Sequence, residues 1–188
     1  MQKKYTIIGG VNGVGKSSLT GVLRAQLDDL GVIVDVDRIT ATAKVSPLEG
    51  GKIAVRRIDG CLEKGQTFTQ ESTLAGFRTA QTAAKAKQAG YYVRLYYVGL
   101  DAAEESLDRI ANRVRRGGHN IGTDDVLRRF AGRWESLAKV LPYCDEVHFF
   151  DNDNGYVEVA SYKNGELVLI GDYRPKWITE LQQYLLTH

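Results

Sequence analysis

The sequence predicts an α/β fold in which five strands alternate with helices and a short antiparallel hairpin closes the C-terminal end. Three observations predict it. Runs rich in β-branched and aromatic residues, such as Tyr91-Tyr92-Val93-Arg94-Leu95-Tyr96-Tyr97-Val98, alternate with stretches of helical period along the chain. Gly10-Val11-Asn12-Gly13-Val14-Gly15-Lys16-Ser17 matches the phosphate-binding pattern G-x-x-x-x-G-K-[ST] between a strand and a helix. Asn164-Gly165 lies between two further strand-like runs and suits a type I′ hairpin turn.

The chemistry of the loop explains its spacing. Glycines at 10, 13 and 15 allow positive φ and let the main chain approach an oxyanion closely. Backbone N–H groups then cradle a phosphate at the positive end of the following helix. Lys16 reaches the β- and γ-phosphates, and the Ser17 hydroxyl holds Mg²⁺. The nucleotide-binding set is therefore Gly10, Asn12, Gly13, Val14, Gly15, Lys16, Ser17 and Ser18, and the ligand is a purine triphosphate such as ATP with Mg²⁺. The loop by itself does not choose between a kinase, a hydrolase and a switch.

Composition narrows the class. The 188 residues suffice for one domain, 1–188, with 43% hydrophobic and 26% charged residues. A net charge of +2 does not indicate an extended nucleic-acid surface. No apolar run is long enough to span a membrane, and the short stretch after Met1-Gln2-Lys3-Lys4 runs straight into the loop rather than forming a signal peptide. Cys61 and Cys144 have neither metal nor redox spacing and read as small buried residues. A cytoplasmic protein is expected.

The elements follow in order. The first strand covers about residues 4–9 and the first helix about 16–30, with Leu19, Val22, Leu23, Leu27 and Leu30 on one stripe and Gly31 as its end. Residues 32–37 read as a second strand finishing on acid. Asp35 and Asp37 then share a face, and Asp37 stands at the crevice where strand ends meet ligands. A short helix over 38–44, a glycine-rich loop over 46–51 and a helix over 52–64 follow. Residues 66–71 read as a third strand ending on Glu71, and Ser72, Thr73 and Arg78 lead into a helix to about Gln88. Glu71, Ser72 and Thr73 form a polar cluster suited to a substrate hydroxyl, although either hydroxyl also suits a helix cap. Residues 91–100 make the strongest strand, and a helix over 103–116 carries Arg109, Arg113 and Arg116 at i, i+4, i+7. A glycine turn at 117–122 with His119 separates it from a helix bearing Arg128, Arg129 and Arg133. Residues 145–151 form the fifth strand, 156–162 and 166–170 the hairpin, and 175–186 the last helix.

The arginines flanking the glycine turn, residues 109–133, read as a lid. Phosphoryl transfer needs positioning and neutralisation of spread negative charge, and an arginine closing over the phosphates contributes roughly 10³–10⁵ in rate. Arg113 joins the nucleotide-binding set on this basis, and His119 on the hinge can contact substrate. Two other readings remain: a nucleoside-triphosphatase or nucleotide-controlled binding module without an acceptor, and a kinase acting on nucleotide or RNA ends.

Five pieces carry a family resemblance, in the same order over about residues 5–152: Gly9-Gly10-Val11-Asn12-Gly13-Val14-Gly15-Lys16-Ser17-Ser18, Glu71-Ser72-Thr73-Leu74-Ala75-Gly76, Arg109-Ile110-Ala111-Asn112-Arg113-Val114-Arg115-Arg116-Gly117-Gly118-His119, Arg128-Arg129-Phe130 and Phe150-Asp151-Asn152. The chain resembles the zeta-toxin-like P-loop kinases, most closely a shorter branch described as predicted ATPases. The resemblance implies a P-loop NTPase fold with five parallel strands in adenylate-kinase-like order and an ATP/Mg²⁺-dependent kinase. It implies a sugar-nucleotide acceptor, a UDP-N-acetyl amino sugar, phosphorylated on a sugar hydroxyl. Asp37 matches the family's base, and Arg109 with Arg116 or its neighbour Arg115 matches the lid arginines. Glu71 matches the acid in the sugar pocket. The resulting catalytic set is Lys16, Asp37, Arg109 and Arg116, and the substrate-facing set is Asp37, Glu71, Ser72, Thr73, Arg78 and His119. The family's toxins carry sequence before the first strand and a longer C-terminal part, and this departure argues against an antitoxin partner.

Overall fold

A computed structural model describes residues 2–118, 120–153 and 155–188, so His119 lies outside the described residues. Seven strands form one mixed sheet in the order β2-β3-β1-β4-β5-β6-β7. They are β1 (Lys4–Gly9), β2 (Val32–Val34), β3 (Phe68–Ser72), β4 (Tyr92–Gly99), β5 (Glu146–Asp151), β6 (Val157–Lys163) and β7 (Glu166–Leu169). Neighbours from β2 to β5 pair in parallel, and the β5–β6 and β6–β7 pairs are antiparallel. The helices are α1 (Lys16–Gln26), α2 (Val36–Ala43), α3 (Pro47–Glu63), α4 (Arg78–Gln88), α5 (Ala103–Arg115), α6 (Thr123–Ala131), α7 (Arg133–Ala138) and α8 (Lys176–Thr187).

β1 is central and covered on both faces, which is why Tyr5, Thr6, Ile7 and Ile8 form one fully buried run rather than an alternating one. On one face the core gathers Tyr5, Ile7 and Phe68 with Ile58 of α3, Ala83 of α4, Leu137 of α7 and Trp177 of α8. On the other, Ile8, Tyr96 and Val98 pack under Leu19 and Leu23 of α1. Among the described residues no helix is long and apolar enough to cross a membrane.

The structure corrects several boundaries, each for a local reason. α1 ends at Gln26, four residues early, because Leu27 is extended (φ −121°, ψ 135°) and Val22 on the expected apolar stripe is 41% exposed. The chain then brings Asp29 to the buried Arg94 and to Lys4, an anion that a guanidinium at 5% exposure needs. Gly31 does not end the helix. Its φ of 60° carries the chain past Thr67, whose carbonyl oxygen would lie 2.0 Å from an added Cβ. The second strand stops at Val34, because the Asp35 carboxylate accepts from the N–H of Asp37 (2.9 Å) and Arg38 (3.2 Å) and so starts α2. The glycine-rich loop over 46–51 is helix instead. Ser46 caps α3, Pro47 occupies its first turn, and Gly50 lies so close to α2 that a Cβ would meet Thr40 Oγ1 at 2.0 Å. The helix after Glu71 begins at Arg78.

The hairpin turns at Asn164 (φ 54°) and Gly165 (φ 86°), which is the left-handed pair that the dipeptide favours. α8 returns across the sheet and lays Trp177, fully buried, over Gly99 at the end of β4. Trp177 donates its indole N–H to Asp151 Oδ1 at 2.8 Å and its backbone N–H to Asp101 Oδ1 at 2.8 Å. A Cβ at Gly99 would sit 2.3 Å from the indole. Gly99→Ala is therefore expected to destabilise the fold by about 2 kcal/mol through overpacking. Urea unfolding followed by Trp fluorescence measures this, and an unchanged midpoint would show that α8 is not held at this contact.

Candidate active site

The loop from Gly10 to Gly15 crosses the C-terminal end of β1 with three glycines at positive φ: 140° at Gly10, 76° at Gly13 and 103° at Gly15. Each is also a close approach. A Cβ would meet Val98 O at 2.5 Å from Gly10, Ser106 O at 2.7 Å from Gly13, and Asn152 Nδ2 at 2.5 Å from Gly15. Both conformation and space therefore demand glycine at these positions. Lys16 folds back inside the loop, and its Nζ donates to Gly10 O and Val11 O, each at 2.9 Å. Burial lowers its pKa to about 8, opposed by the negative charges of Glu71, Asp37 and Asp35. Ser17 and Ser18 open to solvent in the first turn of α1.

Glu71 comes to this loop because β3 pairs with β1 in a register that sets Ile8 beside Glu71. One carboxylate oxygen accepts from Ser17 Oγ and the other from Thr20 Oγ1, both at 2.7 Å. Burial pushes the carboxyl above its ordinary range and the charge of Asp35 adds to this, while the two hydroxyl bonds oppose it. Glu71 thus faces the hydroxyl that sequence reasoning gave to Mg²⁺. Ser17 and Glu71 make an all-oxygen pair, the donor type that Mg²⁺ prefers alongside phosphate oxygens. Among the described residues no group of three His, Cys, Asp or Glu side chains could hold a metal alone.

The other expected residues have different surroundings. Asp37 is not on a strand end sharing a face with Asp35; it lies in the first turn of α2, 58% exposed, while Asp35 is occupied with capping. From there its carboxylate reaches Arg113 of α5 at 3.6 Å. Arg109, Arg113 and Arg116 line one groove of about 580 Å³ together with Asn112, Gly117 and Gly118. The Ser72 hydroxyl is engaged in the fold: its Oγ bonds Thr79 Oγ1 at 2.7 Å and accepts from Leu74 N–H at 3.0 Å. Thr73 is half-buried beside it, and Arg78 is exposed at the start of α4. Arg133 drops out of the lid. It pairs with Glu180 of α8 at 2.7 Å and stacks on Phe130 and Trp134. Arg128 pairs with its neighbour Asp125 on the surface.

Four residues touch the loop in a way the sequence did not foretell: Arg129, read only as a lid arginine, and Ser106, Asn152 and Tyr156, given no role. Arg129 of α6 donates to Asn12 Oδ1 at 2.9 Å. Ser106 of α5 bonds Asn12 O, Asn152 donates to Val14 O at 3.0 Å, and the Tyr156 hydroxyl donates to Gly15 O at 2.6 Å. Arg129 and Asn152 stood within the motif pieces Arg128-Arg129-Phe130 and Phe150-Asp151-Asn152. Ser106 and Tyr156 carried no signal.

Comparison with known proteins places this geometry. An uncharacterized protein of Haemophilus influenzae is 33% identical over 135 residues, covering 69% of this chain and 94% of that protein. The fold is similar to a structure of the PezAT chromosomal toxin-antitoxin system of Streptococcus pneumoniae (TM-score 0.67, 17% identity, 99% of this chain and 86% of that one). It is also similar to AvrRxo1-ORF1:-ORF2 solved with ATP (TM-score 0.68, 16% identity, 99% of this chain and 76% of that one). In the form of that complex with sulphate ions the TM-score is 0.70 at 17% identity, with 96% of this chain aligned and 64% of the other chain's length spanned. The Zeta toxin family model matches residues 1–159. With most of its length matched, including the loop, Glu71 and the arginine helices, the chain belongs to the Zeta toxin family.

Proposed function

We propose that the chain is an ATP- and Mg²⁺-dependent P-loop phosphotransferase that moves the γ-phosphate to a hydroxyl of a small molecule. By family resemblance the acceptor is a UDP-N-acetyl amino sugar such as UDP-N-acetylglucosamine. The observation that supports this most is the meeting of Asp37 and Arg113 at 3.6 Å on elements that flank a loop already holding Lys16. A hydrolase needs a group to orient water; a kinase needs a carboxylate that an acceptor hydroxyl can reach, and Asp37 is open to solvent. The parallel order β2-β3-β1-β4-β5 and the ATP bound in a structural neighbour support the same reading.

Each residue then has a role. The loop N–H groups and Lys16 hold the β- and γ-phosphates. Ser17, with Glu71 behind it, would hold Mg²⁺, which when bound neutralises charge on the phosphate oxygens. Asp37 takes the proton from the acceptor hydroxyl as the oxygen attacks phosphorus and the bond to the β-phosphate oxygen breaks. Arg109, Arg113 and Arg116 stabilise the charge spread over the transferring group. Thr73, Arg78 and His119 are kept as acceptor-facing on the resemblance alone, and the bonds of Glu71 to Ser17 and Thr20 suit the metal side better than the sugar pocket. Residues 109–131, rather than 109–133, form the lid-like segment of a single kinase domain. The expectation against an antitoxin partner loses its ground, because a protein of a toxin-antitoxin system shares the fold over 99% of this chain. A partner protein of that kind is therefore kept in the proposal.

Three outcomes test this. Incubated with Mg-ATP and a panel of sugar nucleotides, nucleosides and short RNA, the protein is expected to add one phosphate to a UDP-sugar, seen by mass spectrometry and lost in Lys16→Ala. Phosphate release with no acceptor modified would favour a triphosphatase instead. Asp37→Asn is expected to lower transfer by about 10³-fold, within the range for a general base, while ADP affinity stays within about twofold. Retention of most transfer would remove Asp37 from the role of base. The third outcome concerns pH. The Lys16 ammonium is present below its pKa of about 8 and lost above it, and a bound polyphosphate raises that pKa. ADP affinity is thus expected to be level at neutral pH and about tenfold weaker by pH 9, as one linked proton requires. A flat titration curve to pH 9 would contradict it.

A further inference from the structure

The outer carbonyls of the phosphate loop are held by side chains from segments far along the chain. Ser106 on α5 bonds Asn12 O. Asn152, just after β5, donates Nδ2–H to Val14 O at 3.0 Å, and Tyr156, just before β6, donates its hydroxyl to Gly15 O at 2.6 Å. The packing there is tight, since a Cβ on Gly15 would lie 2.5 Å from Asn152 Nδ2 and 2.8 Å from the Tyr156 hydroxyl. Asn152 also accepts, through its backbone carbonyl, from Arg109 at 2.8 Å.

In a trans peptide the C=O and the N–H of the next residue point in opposite directions. A carbonyl pulled outward therefore turns the following N–H inward. Holding Val14 O from outside turns the Gly15 N–H into the cradle, and the Tyr156 bond on Gly15 O, which also accepts the Leu19 N–H of α1 at 3.0 Å, reinforces the aim of the Lys16 N–H, so that an anion would accept from both. Left alone, a glycine-rich loop would spread over many backbone conformations, because glycine restricts φ least. Nothing within the pattern G-x-x-x-x-G-K-[ST] supplies these outer bonds.

We propose that Asn152 and Tyr156 are positioning residues that set nucleotide affinity by aiming the N–H groups of Gly15 and Lys16. The start of the C-terminal hairpin is then a working part of the phosphate site and not a cover for the sheet edge. The ligand named here, a nucleoside polyphosphate, rests on the phosphotransferase reading above. Through Arg109, the same residue that holds the loop also anchors a lid arginine, so loop and lid are set by one fixed point.

Tyr156→Phe removes one hydroxyl and keeps the ring. It is expected to weaken Mg-ADP binding about fivefold, the value of one hydrogen bond, and Asn152→Ala by a similar factor. Calorimetric titration reads both. Tyr173→Phe is the control: its hydroxyl donates to Asp151 Oδ2 at 3.2 Å at the same end of the hairpin without touching the loop, and affinity should not change. In the ligand-free protein the backbone amide resonances of Gly15 and Lys16 should shift in Tyr156→Phe and stay in place in Tyr173→Phe. Affinities within twofold of wild type, with unshifted resonances, would overturn the proposal. If wild type binds no ADP, the phosphotransferase reading fails, whereas the amide resonances still decide whether the loop is held from the hairpin. If Asn152→Ala does not fold, Tyr156→Phe decides alone.

Discussion

Buried peptide groups must find hydrogen-bond partners, and a tight loop between a strand and a helix leaves most of its carbonyls without a partner in either element. This constraint organises the molecule around residues 10–15. Gly10 O and Val11 O are satisfied from inside by Lys16; Asn12 O and Val14 O are satisfied from outside by Ser106 and Asn152; Gly15 O accepts from the Leu19 N–H of α1 and also from Tyr156. Those outer side chains arrive on α5 and on the strand-to-hairpin connection, so the order of β4 and β5 beside β1 is what makes the loop stable. Gly15, which leaves room for Asn152 and Tyr156, is fixed by the phosphate pattern, whereas Gly13, which leaves room for Ser106, stands at one of its free positions.

The legible parts of the chain were those governed by local chemistry. The strand, loop and first helix follow from one pattern, and the hairpin follows from Asn164-Gly165. Local signals misled where two of them competed. Val32 to Asp37 alternates like a strand, but Asp35 is a strong N-cap, and capping two N–H groups outweighs extending a three-residue edge strand. Glu49-Gly50-Gly51 has a loop composition, yet Ser46 and Pro47 start a helix there and Gly50 answers to Thr40 on another helix. Contacts made across 117 and 141 residues, by Arg129 to Asn12 and by Tyr156 to Gly15, cannot be read from local sequence, even though Arg129 itself stood in a motif piece. The candidate site was therefore readable as a list of residue types near strand ends, and Ser72 and Arg133 show the limit of such a list, because fold contacts use both.

Charge is handled differently at the two ends of the sheet. Towards the start of β1 and β4, Asp29 joins Lys4 and buried Arg94, whose Nε also donates to Thr6 at 2.8 Å. Nearby, His148 lies between Glu146 and Glu158 at 2.6 Å each and stacks on Tyr96. Burial pushes the His148 pKa down, but the two carboxylates more than offset it, so the ring holds its proton above the usual range. In these networks each charge meets an oppositely charged partner, from the connection after α1 for Lys4 and Arg94 and from β5 and β6 for His148, and they serve the fold.

At the other end the same kinds of side chain are arranged to come apart. Lys16 is satisfied by backbone carbonyls that a phosphate can replace as its partners. Arg113 and Asp37 pair at 3.6 Å with 39% and 58% of their side chains exposed, and an ion pair so open to water is worth no more than about 1 kcal/mol. A well-buried pair would hold α5 against α2 too firmly for a substrate to enter. A pair this weak leaves the Asp37 carboxylate free to exchange its partner at little cost. Under the phosphotransferase reading proposed above, the weakness of the contact would let one carboxylate both help shape the site and serve as the base.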